Sequence, residues 1–309
     1  MRPRPALARL RRMRFPSLIL LLGLALTAQA QTDEFGVRYW YSDSTTTRSH
    51  NAQPLVPSLG NPTSVLTYED LRAHALELHG RKRFGGSWFV KGNAGIGTIK
   101  NKASFDDEDF FAGQVKFSDS TSVVNGDKLA YFTIDVGRDL WRFRNGSAGL
   151  FIGYQYWSET LDAFGAAFTV GNVPRIPDSV AVISNEVTWN SLRAGITATT
   201  HLSAATRFTV DAAFVPFAHG RDEDSHLLRQ NPNDLGPAPN IHIQGDGYGF
   251  QLDLELRHAV QRDWEIGAGV RYWWLRATDG TRNAAGTSVP LVELESERFG
   301  ITLSLTRRW

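Results

Sequence analysis

The sequence predicts an all-β fold, a ten-stranded antiparallel transmembrane β-barrel with long extracellular loops and short periplasmic turns. Three observations predict it: segments in which apolar and polar residues alternate, connections that alternate between short and long, and an aromatic residue that closes the last alternating segment. A lipid-facing barrel strand needs an apolar residue only at every second position, so such a barrel never shows a long apolar run. The slightly negative mean hydropathy of −0.27 agrees with that pattern.

The first 30 residues predict a secretory signal peptide. They contain six arginines and no acidic residue, then an apolar run from Pro16 to Leu26, then Ala28-Gln29-Ala30. A helix needs about 20 apolar residues to span a bilayer, and this run is too short. We therefore expect residues 1–30 to be removed and residues 31–309 to form a single outer-membrane barrel domain.

The composition of the remaining chain excludes several functions. Without the six leader arginines, 27 basic residues stand against 32 acidic ones. This balance gives no basic stripe for nucleic-acid binding. There is no cysteine, which excludes disulfides and metal sites of the cysteine type.

The strands follow from strict alternation, which places apolar side chains on one face of a strand and polar ones on the other. In residues 248–258, Leu252, Leu254 and Leu256 alternate with charged residues such as Asp253 and Glu255. Comparable patterns predict ten strands, near 34–43, 64–79, 86–100, 132–141, 146–161, 183–199, 207–217, 248–258, 264–274 and 292–309.

Short connections (RFG, RNGS, HLSAA, VQRD) alternate with long ones near 43–63, 102–126, 162–182, 218–246 and 279–291. Short periplasmic turns and long outer loops are typical of bacterial transmembrane barrels. Aromatic girdles at the two membrane interfaces are a second feature of such barrels, to which we assign Trp88, Trp157, Trp273 and Trp274.

A soluble β-sandwich is the alternative fold, but its strands have about five or six residues, whereas several here run ten or more. A barrel of ten strands is narrow, so charged residues on the wet faces should form a paired, filled interior. Those residues are Arg38, Asp135, Arg193, Asp211, Asp253, Glu255, Arg257 and Arg271. Function is then expected at the outer rim.

Two acidic clusters fall on that rim. The second outer loop contains Asp106, Asp107, Glu108 and Asp109, and the fourth contains Asp222-Glu223-Asp224-Ser225-His226. Loops two and four stand on opposing walls of a ten-stranded barrel, so the clusters are expected to face each other across a groove.

Such a pair suits hydrolysis by an activated water. A histidine such as His226 takes a proton from water, and Asp224 fixes its tautomer and stabilises the imidazolium. Asp107 and Asp109 repel each other, so one of them is expected to keep a proton and to hold the water or donate to the developing oxyanion.

These two stretches resemble the omptins, outer-membrane endoproteases with ten-stranded barrels. The Asp-x-Asp-aromatic motif of that family is matched by residues 107–110, and its Asp-x-Asp-x-His motif by residues 222–226. The resemblance implies a peptidase in which water is held by catalytic residues without a metal or a covalent intermediate. It assigns that role to Asp107, Asp109, Asp224 and His226, with Asp106 and Glu108 as an alternative frame for the first pair.

The resemblance also implies that Asp222 binds a basic substrate residue before the cleaved bond. The acidic partner that omptins supply from the first loop has no clear match, because its position corresponds to Thr47, with Asp43 nearby. The lipopolysaccharide-binding stretch of the family reads Tyr154-Gln155-Tyr156-Trp157-Ser158 here and keeps only the tyrosine.

The expected location is the bacterial outer membrane, and the expected partners are a peptide or protein substrate outside the cell and outer-membrane lipid. No metal or other cofactor is expected, with lipopolysaccharide as a candidate activator, and the barrel is expected to be monomeric. Two rival functions remain open: a non-enzymatic barrel that serves as an adhesin or structural surface protein, and a small solute channel.

Overall fold

The computed structural model describes residues 33–309, apart from 101, 102, 126, 127 and 172. These residues form one antiparallel sheet that closes on itself where β13 pairs with β1. They contain no helix long and apolar enough to cross a membrane. The strands are β1 (Glu34–His50), β2 (Ser64–Glu69), β3 (Ala73–Phe84), β4 (Trp88–Ile99), β5 (Ala103–Phe111), β6 (Val115–Val124), β7 (Lys128–Phe143), β8 (Gly146–Phe168), β9 (Ile176–His201), β10 (Thr206–His226), β11 (Ile241–Gln261), β12 (Trp264–Ala284) and β13 (Thr287–Arg308).

The thirteen segments make a ring of ten strands, which confirms the predicted fold. Near the periplasmic end the ring runs through β3, β4 and β7, between β1 and β8. Above it, β2, β5 and β6 replace those three strands between the same two neighbours. β2 and the first half of β3 correspond to the predicted strand 64–79, whereas β5 and β6 lie in the stretch 102–126 that the sequence predicts as the second outer loop.

The strands run farther outward than the alternation pattern predicts. The outer connections inside the described range shrink to residues 51–63, 112–114, 169–175, 227–240 and 285–286. The four short turns, at 85–87, 144–145, 202–205 and 262–263, lie where the sequence predicts them. Both acidic clusters therefore lie on strand extensions instead of loops, and their backbone is held by the hydrogen bonds of the sheet.

The outer surface of the barrel carries a band of exposed apolar side chains. Ile96, Ile152 and Ile301 are 73%, 65% and 53% exposed, although they lie in mid-strand. An apolar band of this kind on a closed barrel is the lipid-facing surface of a transmembrane β-barrel. On β1 the band ends near Tyr41, so the last residues of β1 extend beyond it.

The interior below the rim is filled by paired charges. Glu77 accepts from Arg38 at 2.8 Å and from Arg271 at 2.6 Å, and Arg271 also contacts Asp253 at 2.6 Å. All eight charged residues predicted for the interior line one narrow cavity of about 80 Å³. The prediction of a paired, filled lumen is confirmed.

Two of the tryptophans assigned to the interfacial girdle do not belong there. Trp157 and Trp273 are each 1% exposed and point into the barrel. They pack with Trp40 and Tyr131 in edge-to-face contacts at centroid distances of 5.1–5.8 Å. Strand alternation places both side chains on the inner face, so nearness to a strand end does not by itself predict a position in the interfacial girdle. The four rings form a layer above the ion pairs of the lumen.

Mutation of a buried ion pair in the lumen should destabilise the barrel more than mutation of an exposed pair. Replacing Glu77 by Leu leaves Arg38 and Arg271 without their shared carboxylate, which should lower the free energy of unfolding by about 3–5 kcal/mol. Arg72→Ala removes exposed pairs to Asp43 and Asp70 and should cost less than about 1 kcal/mol. Urea unfolding in lipid vesicles measures both, and equal effects of the two variants would contradict this account of the interior.

Candidate active site

The acids of β10 face the interior because a bulge changes the parity of the strand. Between Val215 and Ala218, β10 has one residue more than the paired stretch of β11. Below the bulge, odd-numbered residues such as Val215 are buried, whereas above it Asp222 and Asp224 are buried. A β-bulge re-aims the side chains that follow it, because successive residues of a strand point to opposite faces.

The acids of β5 come from the opposite wall. β5 pairs with β2 so that Asp107 lies beside Leu66 and Asp109 beside Ser64. Around the upper ring, β6, β8 and β9 separate β5 from β10. Glu108, of the alternative frame, forms an ion pair with Lys116 instead.

One cavity of about 140 Å³ joins the two walls. Asp107, Asp109, Asp224 and His226 all line it. Asp106, Glu108 and Asp222 are not among its lining residues. The structure thus brings together the four residues that the sequence analysis assigned to catalysis, at the outer end of the barrel.

Asp224 and His226 are in direct contact. His226 Nε2 lies 3.1 Å from Asp224 Oδ2, and the Asn240 side-chain oxygen accepts a hydrogen bond of 2.9 Å from the His226 backbone N–H. Asp224 Oδ2 also accepts a bond of 3.0 Å from Arg48. The carboxylate therefore orients the imidazole while a guanidinium holds the carboxylate.

The carboxyl groups of the two walls differ in protonation. Burial raises the pKa of Asp107 to about 7, and the neighbouring Asp109 adds to this rise. Burial also raises the pKa of Asp109, against a hydrogen bond from Ser64. Although burial alone would raise it, the pKa of Asp224 is lowered, because Arg48 and His226 stabilise its ionised form. Below about pH 7 the β5 pair therefore retains a proton, whereas Asp224 is ionised.

Asp222, predicted to bind a basic substrate residue, is fully buried. Its Oδ2 accepts from Arg48 at 2.7 Å and its Oδ1 from Asn185 at 2.6 Å. Asp43 is exposed on the other face of β1, and neither it nor Thr47 lines the cavity. The β1 side chain that enters the cavity is Arg48.

Several cavity residues were missed by the sequence analysis, namely Arg48, His50, Ser64, Arg229 and Arg282. Burial lowers the pKa of His50 to about 3, with Arg282 and Arg48 adding to the effect, so His50 is neutral. Arg48 shares the parity of Arg38 on β1, so extending that strand in the sequence would have placed it inside. No comparable sequence pattern predicts that Arg282 points into the cavity.

Arg282 differs from the other arginines of the site. Within the described part of the chain, no carboxylate lies in ion-pair contact with its guanidinium. It nevertheless lies close enough to Asp224, Asp109 and Asp107 for electrostatic interaction with all three. No group of three or more His, Asp or Glu side chains among the described residues is arranged to hold a metal ion.

No family model matches the sequence, and no curated protein matches it significantly. Among solved structures, the outer membrane protease OmpT from Escherichia coli matches with a TM-score of 0.73 and 13% identity, over 92% of this chain and 99% of that chain. An outer membrane channel from Pseudomonas putida (TM-score 0.30, 12% identity, 91% and 97% covered) and a FadL homologue from Pseudomonas aeruginosa (0.34, 9%, 90% and 90%) also match, too distantly to carry an argument. At 13% identity the first likeness shows the fold alone: this chain has the barrel architecture of an outer-membrane protein.

Proposed function

We propose that this protein is an omptin-like outer-membrane endopeptidase that hydrolyses peptide bonds with an activated water. The observation that carries the proposal is the single cavity lined by Asp107, Asp109, Asp224 and His226, with the imidazole bound to the ionised Asp224. A carboxylate–imidazole pair on one wall and two carboxyl groups on the other can supply the general base and the acid that water-mediated acyl hydrolysis uses.

His226 is the general base of the proposed reaction. It takes a proton from the water as the oxygen attacks the peptide carbonyl carbon, and Asp224 stabilises the resulting imidazolium. Arg48 keeps Asp224 ionised for this role. The imidazolium then gives this proton to the amine nitrogen as the C–N bond of the tetrahedral intermediate breaks, which releases the amine and a carboxylic acid. Because water is the nucleophile, no covalent intermediate with the enzyme forms.

Asp107 is the proposed acid. With a pKa of about 7, its carboxyl group retains a proton at the start of the reaction and donates a hydrogen bond to the carbonyl oxygen as negative charge develops. Asp109 shares the wall and accepts a hydrogen bond from the water. Asp107 acts as the donor and Asp109 as the acceptor because two neighbouring carboxyl groups do not readily ionise together.

Arg282 is proposed to stabilise the tetrahedral intermediate. A cation in a secluded site stabilises developing charge more strongly than it does in water. Because it forms no ion pair within the described residues, its charge is not already committed to a carboxylate.

The cavity opens beyond the lipid-facing band, at the end of the barrel that carries the longer connections. We therefore propose a bacterial outer-membrane location with the site facing outward, a peptide or protein substrate from outside the cell, and contact with outer-membrane lipid. The lumen below is occupied by ion pairs and covered by the aromatic layer, which argues against a solute channel.

Removing the base tests the proposal. His226→Ala should lower kcat for peptide cleavage by about 10²–10⁴-fold, the usual contribution of a positioned general base. His219→Ala, on the same strand but paired with Asp246 outside the cavity, should leave cleavage unchanged. Purified barrels refolded with and without lipopolysaccharide are assayed on a peptide library, and folding is verified by the shift in gel migration on heating. A folded wild-type protein that cleaves nothing under either condition would favour the non-enzymatic barrel.

The pH profile tests the acid. Because the raised pKa keeps Asp107 protonated below about pH 7 and ionised above it, kcat/KM should fall as pH rises through about 7. Asp107→Asn keeps a hydrogen-bond donor that does not ionise, so the variant should be slower but lack this alkaline decline. If the decline near pH 7 persists unchanged in Asp107→Asn, the assignment of the acid is wrong.

Arg282→Met tests charge stabilisation. The loss of one preorganised donor to an oxyanion costs about 10²–10³-fold in kcat, and KM should change much less. Arg282→Lys retains the cation and should recover part of the loss. Steady-state kinetics on one peptide separate the two parameters, and an effect confined to KM would assign Arg282 to substrate binding instead.

A further inference from the structure

Arg48 crosses the upper barrel from β1 and joins two carboxylates of β10. Its Nη1 lies 2.7 Å from Asp222 and its Nη2 lies 3.0 Å from Asp224. The guanidinium also lies 5.5 Å from the centre of the Tyr68 ring. The side chain is only 2% exposed, yet it lines the cavity. An arginine of the protein itself thus fills a pocket with two acidic walls, an environment suited to a guanidinium group.

The carboxylates near this pocket already accept hydrogen bonds from other side chains of the protein. Both oxygens of Asp222 accept hydrogen bonds, from Arg48 and Asn185. Asp224 is shared by Arg48 and His226. Asp107 and Asp109 belong to the wall that holds the attacking water in the proposed function. A basic substrate side chain would have to displace one of these partners to reach Asp222 or Asp224 Oδ2. The remaining oxygen, Asp224 Oδ1, accepts no hydrogen bond from the described residues but is itself buried.

The other cations of the cavity oppose a basic side chain as well. Arg282 and Arg229 line the cavity together with Arg48. Arg229 is neutralised by Asp234, whereas Arg282 has no ion-pair partner among the residues that the structure describes. The cations therefore favour an uncharged or acidic residue in the bound peptide.

We propose that Arg48 is a specificity-determining residue, whose guanidinium occupies the Asp222–Asp224 pocket and so excludes basic side chains of the substrate. The enzyme then cleaves beside uncharged or acidic residues. This inference rests on the proposed peptidase function and replaces the expectation that Asp222 binds a substrate arginine or lysine.

A purely structural role for Arg48 is the competing explanation. If Arg48 only neutralises two buried acids, its removal destabilises the barrel and creates no affinity for another guanidinium. If it fills a pocket that belongs to the cavity, its removal opens that pocket to a ligand that carries the same group. Binding of a free guanidinium compound therefore separates the two explanations without requiring cleavage.

The first experiment is calorimetric titration of arginine amide into the purified, refolded barrel. Wild-type protein should show no saturable binding up to the highest concentration titrated, whereas Arg48→Ala should bind with a Kd at least tenfold below that concentration. The double variant Arg48→Ala/Asp222→Asn should lose that gain. Arg282→Ala is the matched control, since it removes a cavity arginine but leaves Arg48 on its carboxylates, and it should not bind arginine amide.

The second experiment compares cleavage of peptides that differ only in having arginine, norleucine or glutamate beside the cleaved bond. Wild-type protein should prefer norleucine or glutamate, and Arg48→Ala should shift the ratio of kcat/KM values toward arginine by at least tenfold. If no peptide is cleaved by any folded variant, the proposed function fails, but the titration still tests the pocket.

Several outcomes would overturn the inference. Saturable binding of arginine amide to the wild-type protein, lost in Asp222→Asn, would show that Arg48 does not block the pocket. A folded Arg48→Ala barrel without any gain in binding would assign Arg48 to structure alone. If Arg48→Ala does not refold, refolding is repeated with millimolar arginine amide. If the compound does not restore the barrel although Arg48→Lys folds, the result also counts against the pocket.

Discussion

The pairing of charges across a narrow, closed interior is the constraint on which the rest of this structure depends. A ten-stranded barrel leaves too little room to hydrate its inner residues, and an unpaired buried charge is costly. Arginines therefore bridge the walls at successive heights. Arg271 holds Glu77 and Asp253 within the membrane, Arg298 holds Glu159 above them, and Arg48 holds the acids of β10 near the rim. Each bridge ties together strands that are distant in the chain.

The candidate site follows from the last of these bridges. Arg48 stabilises an ionised Asp224, whereas Asp107 faces the same cavity without a comparable cation in contact and keeps its proton near neutral pH. Two aspartates of one cavity thereby differ in protonation, because their environments move the pKa values in opposite directions. The aromatic layer around Trp40 and Trp273 separates this cavity from the polar lumen below.

Much of the architecture could be predicted because the period of alternation is a local property of a strand. Residues 248–258 show which side chains face lipid, and the four short turns mark one end of the barrel. Two kinds of feature could not be predicted in this way. Strand length beyond the apolar band has no hydrophobic signature, so the alternation pattern ends the first strand near residue 43 and predicts Arg48 in a loop. Whether a side chain near a strand end points inward depends on its partners across the barrel, so sequence position alone predicts Trp157 at the surface.

The bulge in β10 is a feature that the alternation pattern does not predict. Pro216 marks a position where a sheet tolerates an irregularity, because proline has no N–H to donate to the ladder. Residue type and local periodicity are enough to predict the ten strands, the filled lumen and two acidic clusters near one rim. The folded barrel is needed to show that one inserted residue turns Asp222, Asp224 and His226 inward, and that Arg48 meets them there. Closure of the sheet sets which residues face one another, and that register is a property of the whole barrel.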